Sequence, residues 1–189
     1  MNHIQIYDNM LSQKSCEEVI EIFEKSQSPY KVRGAVGDNL LVDKERKDST
    51  DLSISIAHPG DEGECKMNQY VLDFMSVCTE KYKKKYPFIT ETDAWHLDDR
   101  YNVQKFNDGG GYHAMHCEIT SQLSKRMLVW MLYLNNAKSG TRFYYPKRDV
   151  RARRGRVVIW PAFWTHPHSG ITPNKGNKYI MTGWFSYDN

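Results

Sequence analysis

No apolar run in these 189 residues approaches the roughly 20 that a membrane-spanning helix requires, so no membrane-crossing helix is expected among them. The opening MNHIQIYDNMLSQKS lacks the basic-then-apolar order of a secretory leader, and the expected location is cytoplasmic. Cysteine is scarce. Cys16, Cys65, Cys78 and Cys117 form no CxxC pair and no dense array, which argues against a disulfide scaffold and for reduced, buried thiols. Charge of one sign is also lacking: a formal net charge of +3 is too small to argue for nucleic acid by itself. There is no internal repeat, low-complexity tract or long linker. A single domain over residues 1–189 is therefore expected, long enough to bury a real core.

What is abundant is aromatic side chain, at 13%, which suits β structure and a ring-lined cleft. Two helical patterns come first. In SCEEVIEIFEKS, Ser15 and Glu18 have the spacing of a capping box, and Cys16, Val19, Ile20 and Phe23 fall on one face. In CKMNQYVLDFMSVCTEKYKKKYP, Met67, Val71, Phe74 and Cys78 repeat the pattern, and Pro87 closes it. Between them, residues 31–60 are polar and weakly periodic, an excursion with one or two short strands. The texture changes near residue 94. MLVWMLYL (127–134) is a continuous apolar run, as in a strand buried on both faces, and GRVVIWPA (155–162) and NKYIMTGWFSY (177–187) follow it. The expected class is α+β, mainly β: helices and loops to about residue 93, then a barrel-like or sandwich core over about 94–189.

Two motifs carry candidate chemistry, YHAMHCE (112–118) and WTHPHSG (164–170). Side chains two apart on a strand share a face, so His116 and Glu118 project together, while His113 lies at an odd offset and faces away. His166 and His168 are also two apart, and parity does not choose between them. One histidine and one carboxylate from a strand, with a second histidine from a distant strand, cover one triangular face of an octahedral metal. Three adjacent positions then stay open for a chelating co-substrate and O₂, the facial arrangement of non-haem iron oxygenases. Lys178, Ile180, Thr182 and Trp184 share a face of the last strand. A lysine there is costly to bury unless an anion pairs with it, and a dicarboxylate held by the metal at its other end is such an anion.

Taken in order, GGGYHAMHCE, LYLNN, GTRFYYP, GRVVIWPAFWTHPHSG and GNKYIMTGWF resemble the prolyl 4-hydroxylase-like branch of the Fe(II)/2-oxoglutarate dioxygenases over roughly residues 95–187. The opening IYDNMLSQKSCEEVIEIFE and the loop around Arg46–Thr50 resemble the start and the flexible substrate-covering segment of that family. The resemblance implies a double-stranded β-helix (jelly-roll or cupin-like) core with N-terminal supporting helices. It implies Fe(II) on His116, Glu118 and His168, the last chosen because the family's distal histidine lies about ten residues before its 2-oxoglutarate-binding cation. It implies 2-oxoglutarate held at its far carboxylate by Lys178 and Tyr133, with Thr182 assisting, O₂ as oxidant, and a family use of ascorbate. Trp184 matches an aromatic beside the iron, and Arg46, Tyr112, Trp184 and His166 mark the substrate region. The implied reaction hydroxylates a prolyl residue of a peptide or protein and converts 2-oxoglutarate to succinate and CO₂. Two positions depart from the pattern: Glu118 stands where aspartate is usual, and Phe106 where tyrosine is frequent, leaving Gln104 as a polar contact on the same face.

Two other readings compete. The basic run KRDVRARRGR (147–156) suits a solvated hairpin, but a phosphate backbone would also fit it, as in the nucleic-acid demethylases of the superfamily. A non-redox cupin-like module would use the same ligands for zinc. Lys178 and Tyr133 favour the oxygenase, since a zinc site has no need of an anion pair beyond the metal. Residues 31–60 and Tyr144–Arg156 are the expected walls of a groove for an extended peptide.

Overall fold

The computed structural model describes residues 3–37 and 41–188; positions 38–40 of the expected 31–60 excursion lie outside the described residues. Helix α1 (Gln13–Lys25) starts earlier than its apparent capping box. Ser12, in extended backbone, accepts from the Ser15 amide at 3.1 Å, so Ser12 caps the helix and the Ser15–Glu18 pair does not. Glu18 is used for packing instead, pairing with Lys66 and accepting from Tyr70 at 2.5 Å on helix α2 (Glu62–Lys85). Asp61 caps α2, which carries Glu62 and Glu64 in its first turn and Lys83, Lys84 and Lys85 in its last, complementing the helix dipole at both ends. The KYKKKYP run is thus the charged end of a helix. Pro87 opens a short 3₁₀ turn (Pro87–Thr90) rather than continuing it.

Among the described residues, ten strands follow the chain: β1 (Gln5–Tyr7), β2 (Lys31–Arg33), β3 (Thr50–Ser55), β4 (Trp95–Phe106), β5 (Arg126–Tyr133), β6 (Gly140–Phe143), β7 (Arg148–Arg151), β8 (Arg156–Pro161), β9 (His168–Ile171) and β10 (Lys178–Tyr187). They form a seven-stranded sheet in the order β1-β8-β5-β10-β4-β3-β2 and a three-stranded sheet in the order β7-β6-β9, with every pairing antiparallel. The strand-rich core is therefore not confined to residues after 94, because β1 and β3 pair with β8 and β4.

Alternation along the central strands builds two cores. Leu128, Trp130 and Leu132 on β5, with Val157 and Ile159 on β8 and Met181 on β10, meet Cys16, Val19 and Phe23 of α1 and Met67, Val71 and Phe74 of α2. The other face carries Val129, Met131 and Tyr133, with Val158, Trp160 and Ile180, and packs against Phe143 and Val150 of the small sheet. Burial on both faces explains why MLVWMLYL is unbroken apolar sequence, each fully buried aliphatic residue contributing roughly 1.5–3 kcal/mol. This is the expected α+β arrangement, two antiparallel sheets facing each other in double-stranded β-helix fashion with helices on the outside of the larger one. All four cysteines are free, but only Cys16 and Cys78 are buried; Cys65 is exposed on α2, against the expectation of buried thiols.

Candidate metal centre

Between the sheets lies a cavity of about 680 Å³, lined among others by Gln104, Tyr112, His116, Glu118, His168, Lys178, Thr182 and Trp184. The segment carrying His116 and Glu118 is not a regular strand. Its backbone makes isolated bridges, Tyr112 to Lys47 and His116 to His168, the latter through a reciprocal pair of hydrogen bonds at 3.0 and 2.8 Å. Glu118 is tied by its amide to the Ala162 carbonyl at 3.0 Å. The bridge, rather than strand parity, turns His116 and Glu118 inward. His113 is left exposed, 3.3 Å from Thr172. His166 and His168 belong to different elements. His168 opens β9, whereas His166 sits in the preceding turn, buried with its Nδ1 2.9 Å from Thr165 Oγ1.

One ligand atom from each of His116, Glu118 and His168 falls within 4.8 Å of the others. The His116 and His168 Nε2 atoms stand 3.4 and 3.3 Å from the same oxygen, Glu118 Oε1. The opposite ring nitrogens face acceptors: His116 Nδ1 lies 2.9 Å from the Ala114 carbonyl and His168 Nδ1 lies 3.1 Å from the His166 carbonyl. A carbonyl accepts only, so each Nδ1 carries the proton and each neutral ring presents a lone pair at Nε2. Two lone pairs and a carboxylate oxygen thus converge on one point. Either extra protons on the rings or a cation must occupy it. Burial, followed by the neighbouring His116 charge, pushes His168 below the ordinary histidine value, which disfavours the imidazolium and favours a metal. Burial also pushes the Glu118 carboxyl up, but hydrogen bonds and positive charge from the two rings, when Nε2 is protonated, outweigh it and hold the group well below the usual carboxylate range; with neutral rings a bound cation would take over that role.

Three further groups complete this wall. Glu118 Oε2 accepts from Trp184 Nε1 at 2.9 Å and lies 3.5 Å from Arg126 Nη1, and the Arg126 guanidinium stacks 3.6 Å over the Trp184 ring. Tyr112 stacks on His116 at 3.7 Å with the rings 13° apart. Arg126 is not visible as a site residue in the sequence. Simple alternation would place it with Leu128 and Trp130 toward the helices. The register between β5 and β10 instead skips Met127, pairing Phe185 with Leu128 and Ser186 with Arg126, and this bulge turns Arg126 into the cavity.

On the floor, Lys178 is 3% exposed, and among the described residues its Nζ has only the Gly140 carbonyl, at 3.5 Å, and the Phe106 ring, at 4.6 Å. Burial alone lowers its pKa to about 8. This undercompensated ammonium faces the same cavity as the candidate metal ligands. Thr182 lines the wall and donates to the Trp130 carbonyl at 3.1 Å. Tyr133, expected beside Lys178, is placed differently. It is not among the lining residues, because its hydroxyl points to Thr141 at 2.6 Å, and Thr141 faces the cavity in its place. Thr141 lies in the GTRFYYP motif but carried no separate signal. Gln104 lines the cavity with its amide committed to Asp51 at 2.9 Å, and Asp51 also accepts from Lys47 at 2.5 Å and Ser49 at 2.8 Å.

The 31–60 segment does supply a wall, through Val32, Arg33, Val36, Val42, Lys47 and Asp51 among others. Arg46 is exposed and off the wall; its carbonyl accepts the His113 and Ala114 amides at 2.8 and 3.1 Å, so its backbone anchors the metal-ligand segment. Tyr144–Arg156 is not a groove wall. It forms the turn and edge strand β7 of the small sheet, with Arg142 paired to Asp149 across the hairpin at 3.0 and 2.9 Å.

The model of the 2OG-Fe(II) oxygenase superfamily matches residues 100–186. No curated protein sequence matches the chain. Several solved structures share the fold. A prolyl hydroxylase from Trichoplax adhaerens, solved with a hypoxia inducible factor oxygen degradation domain peptide fragment, superimposes with a TM-score of 0.73 at 17% identity, covering 99% of this chain and 84% of that one. A Pseudomonas putida prolyl-4-hydroxylase gives 0.72 at 15% identity, over 100% and 95% of the two chains. The viral collagen prolyl hydroxylase of Paramecium Bursaria Chlorella virus-1, solved as its 2OG complex, gives 0.66 at 17%, over 99% and 97%.

Proposed function

From the match of residues 100–186 to the 2OG-Fe(II) oxygenase superfamily model together with the site geometry, we propose that this chain is an Fe(II)- and 2-oxoglutarate-dependent oxygenase that hydroxylates a prolyl residue of a peptide or protein substrate. The observation that carries the metal assignment is the convergence of His116 Nε2, His168 Nε2 and Glu118 Oε1 on one point, with both rings held in the ligating tautomer by backbone carbonyls. These three would hold Fe(II). Lys178 would pair with the far carboxylate of 2-oxoglutarate, and the Thr141 hydroxyl, oriented from behind by Tyr133, would donate to it.

Iron with 2-oxoglutarate and O₂ supplies the oxidising chemistry, in which the keto acid becomes succinate and CO₂ and one oxygen atom reaches a C–H bond of the substrate. The chain's own residues do the rest. Lys178 neutralises the co-substrate's charge and aims it along the cavity toward the histidines. Ile180, Met131 and Phe106 keep water from its methylene groups. Tyr112 covers one face of the His116 ring and resists its rotation. At the mouth, Val32, Val42 and Leu123 offer exposed apolar surface, and Trp184 and Tyr112 offer aromatic faces to a proline ring. The prolyl substrate is favoured by the two prolyl hydroxylases of near-full-length fold similarity and by this apolar, aromatic mouth.

The test is an anaerobic titration of 2-oxoglutarate into Fe(II)-loaded protein. A weak visible charge-transfer band that saturates is expected, lost in His168→Ala and retained in His166→Ala. Absence of the band in metal-loaded wild type refutes the co-substrate assignment, and survival of the band only in His168→Ala exchanges the ligand. For the substrate, proline-containing peptides incubated with the complete system should gain 16 mass units on proline; gain on another residue type redirects the reading to a different amino-acid oxygenase.

A further inference from the structure

We propose that Trp184 and Arg126 are positioning residues that divide the Glu118 carboxylate, holding Oε2 away from the metal so that Oε1 alone ligates. The inference rests on the metal-centre reading above and concerns what makes a glutamate serviceable there. Glutamate has one more rotatable bond than aspartate, so its carboxylate is harder to place, and the ordering must come from somewhere. The two oxygens have unlike surroundings. Oε1 faces His116 and His168 Nε2 at 3.4 and 3.3 Å, while Oε2 accepts from the Trp184 indole at 2.9 Å and lies 3.5 Å from Arg126 Nη1.

The indole N–H can only donate, so it anchors Oε2 toward Trp184 and leaves Oε1 as the oxygen that faces the two Nε2 atoms. The Trp184 ring is itself held from both sides. It belongs to β10, and the Arg126 guanidinium stacks 3.6 Å over its face. Arg126 enters only because of the Met127 bulge, and its Nη1 is 3.5 Å from both Oε2 and the Glu118 carbonyl. Arg126 therefore fixes the ring and compensates the half of the carboxylate charge that the metal does not take.

The functional consequence is an open coordination position. With Oε2 pinned, Glu118 occupies one site and leaves its neighbours for a chelating keto acid. Released, it can swing both oxygens toward the cation and take a second site. An aspartate at 118 is shorter by a methylene, and on this proposal it gives up the Trp184 contact when its other oxygen reaches the point shared by the two histidines.

Co(II), which reports ligand number by its visible spectrum, is the probe, read without turnover by calorimetry and absorption. Trp184→Phe keeps the ring for Arg126 and removes the N–H; loss of the order it imposes on the carboxylate should outweigh the second oxygen gained, raising the Co(II) Kd roughly 10–100-fold, and the added ligand atom should alter the visible bands. Arg126→Met should act in the same direction through the other contact, which covers the case in which one variant fails to fold. In a Glu118→Asp background the contact is already gone, so adding Trp184→Phe should change Kd by less than about threefold, a non-additivity that a merely structural role would not produce. Wild-type affinity and spectrum in Trp184→Phe, or an undiminished loss in the aspartate background, overturns the proposal while leaving the metal centre intact. Wild-type protein that binds neither Co(II) nor Fe(II) overturns the metal centre and the proposal together.

Discussion

Lys178 offers the sharpest quantitative test, because function and stability should pull in opposite directions at one buried atom. Its ammonium is 3% exposed, with a single weak carbonyl contact at 3.5 Å and an aromatic ring at 4.6 Å. Burial lowers its pKa from 10.5 to about 8, which at about 1.4 kcal/mol per pH unit means that the charged form costs the metal-free, co-substrate-free fold about 3 kcal/mol. Lys178→Met removes that charge at similar volume. At pH 7 both folded and unfolded wild type carry the proton, so the full penalty is present and the variant should be more stable by about 3 kcal/mol. For a domain of this size that is roughly 6–12 °C in Tm. Between pH 8 and 10.5 the folded chain has shed a proton that the unfolded chain still holds, so wild-type stability rises with pH and the gap should close toward zero. Urea unfolding followed by tryptophan fluorescence at pH 7 and pH 10 measures both gaps. Adding saturating 2-oxoglutarate to the Fe(II)-loaded proteins under anaerobic conditions should then stabilise wild type by clearly more than the variant, which keeps its metal ligands but lacks the cation for the far carboxylate. A variant less stable than wild type at pH 7, or a gap that ignores pH, would show that the lysine charge is already compensated within the protein and needs no anion.

Three other outcomes follow from the geometry. Asp51→Ala strands the buried Lys47 ammonium and frees Ser49 and Gln104, and should cost about 3–5 kcal/mol in urea unfolding; a loss below 1 kcal/mol would mean that the network is not buried as a unit. Gly183→Ala places a methyl 2.6–2.7 Å from the Trp130 indole, inside the helix-facing core, and should lower stability by about 1–3 kcal/mol, visible as a lower Tm. Metal affinity should fall with acid, since both imidazoles must be unprotonated to ligate. Because burial keeps His168 below the ordinary histidine value, its part of that loss should set in below about pH 6.5; a Kd for Co(II) that is flat from pH 7.5 to 5 would contradict histidine ligation.

Much of this protein was legible by local periodicity. The faces of α1 and α2, the doubly buried run of β5 and the shared face of Lys178, Ile180, Thr182 and Trp184 follow from side-chain directions that repeat every 3.6 or 2 residues, and neighbours along the chain dictate them. The pairing of a histidine with an acid two residues on was likewise local, although the segment that carries them proved not to be a strand. Ser12 and Ser15 are both competent caps for α1, and only the packing of Glu18 onto α2 removes that residue from a capping role.

The rest depends on what lies opposite. Sequence alone left His166 and His168 equivalent by parity; the turn ending at Pro167 and the bridge to His116 separate them. Tyr133 was expected at the cavity, but Thr141 from the facing sheet intercepts its hydroxyl. Arg126 reaches Glu118 because a bulge set by β10 reverses its side, and Trp184 meets Glu118 across 66 residues of chain. A residue's own sequence determines that it will be buried or turned to one face. Which atoms wait there is decided by the register of strands distant in the chain, where one skipped residue exchanges the faces of everything beyond it.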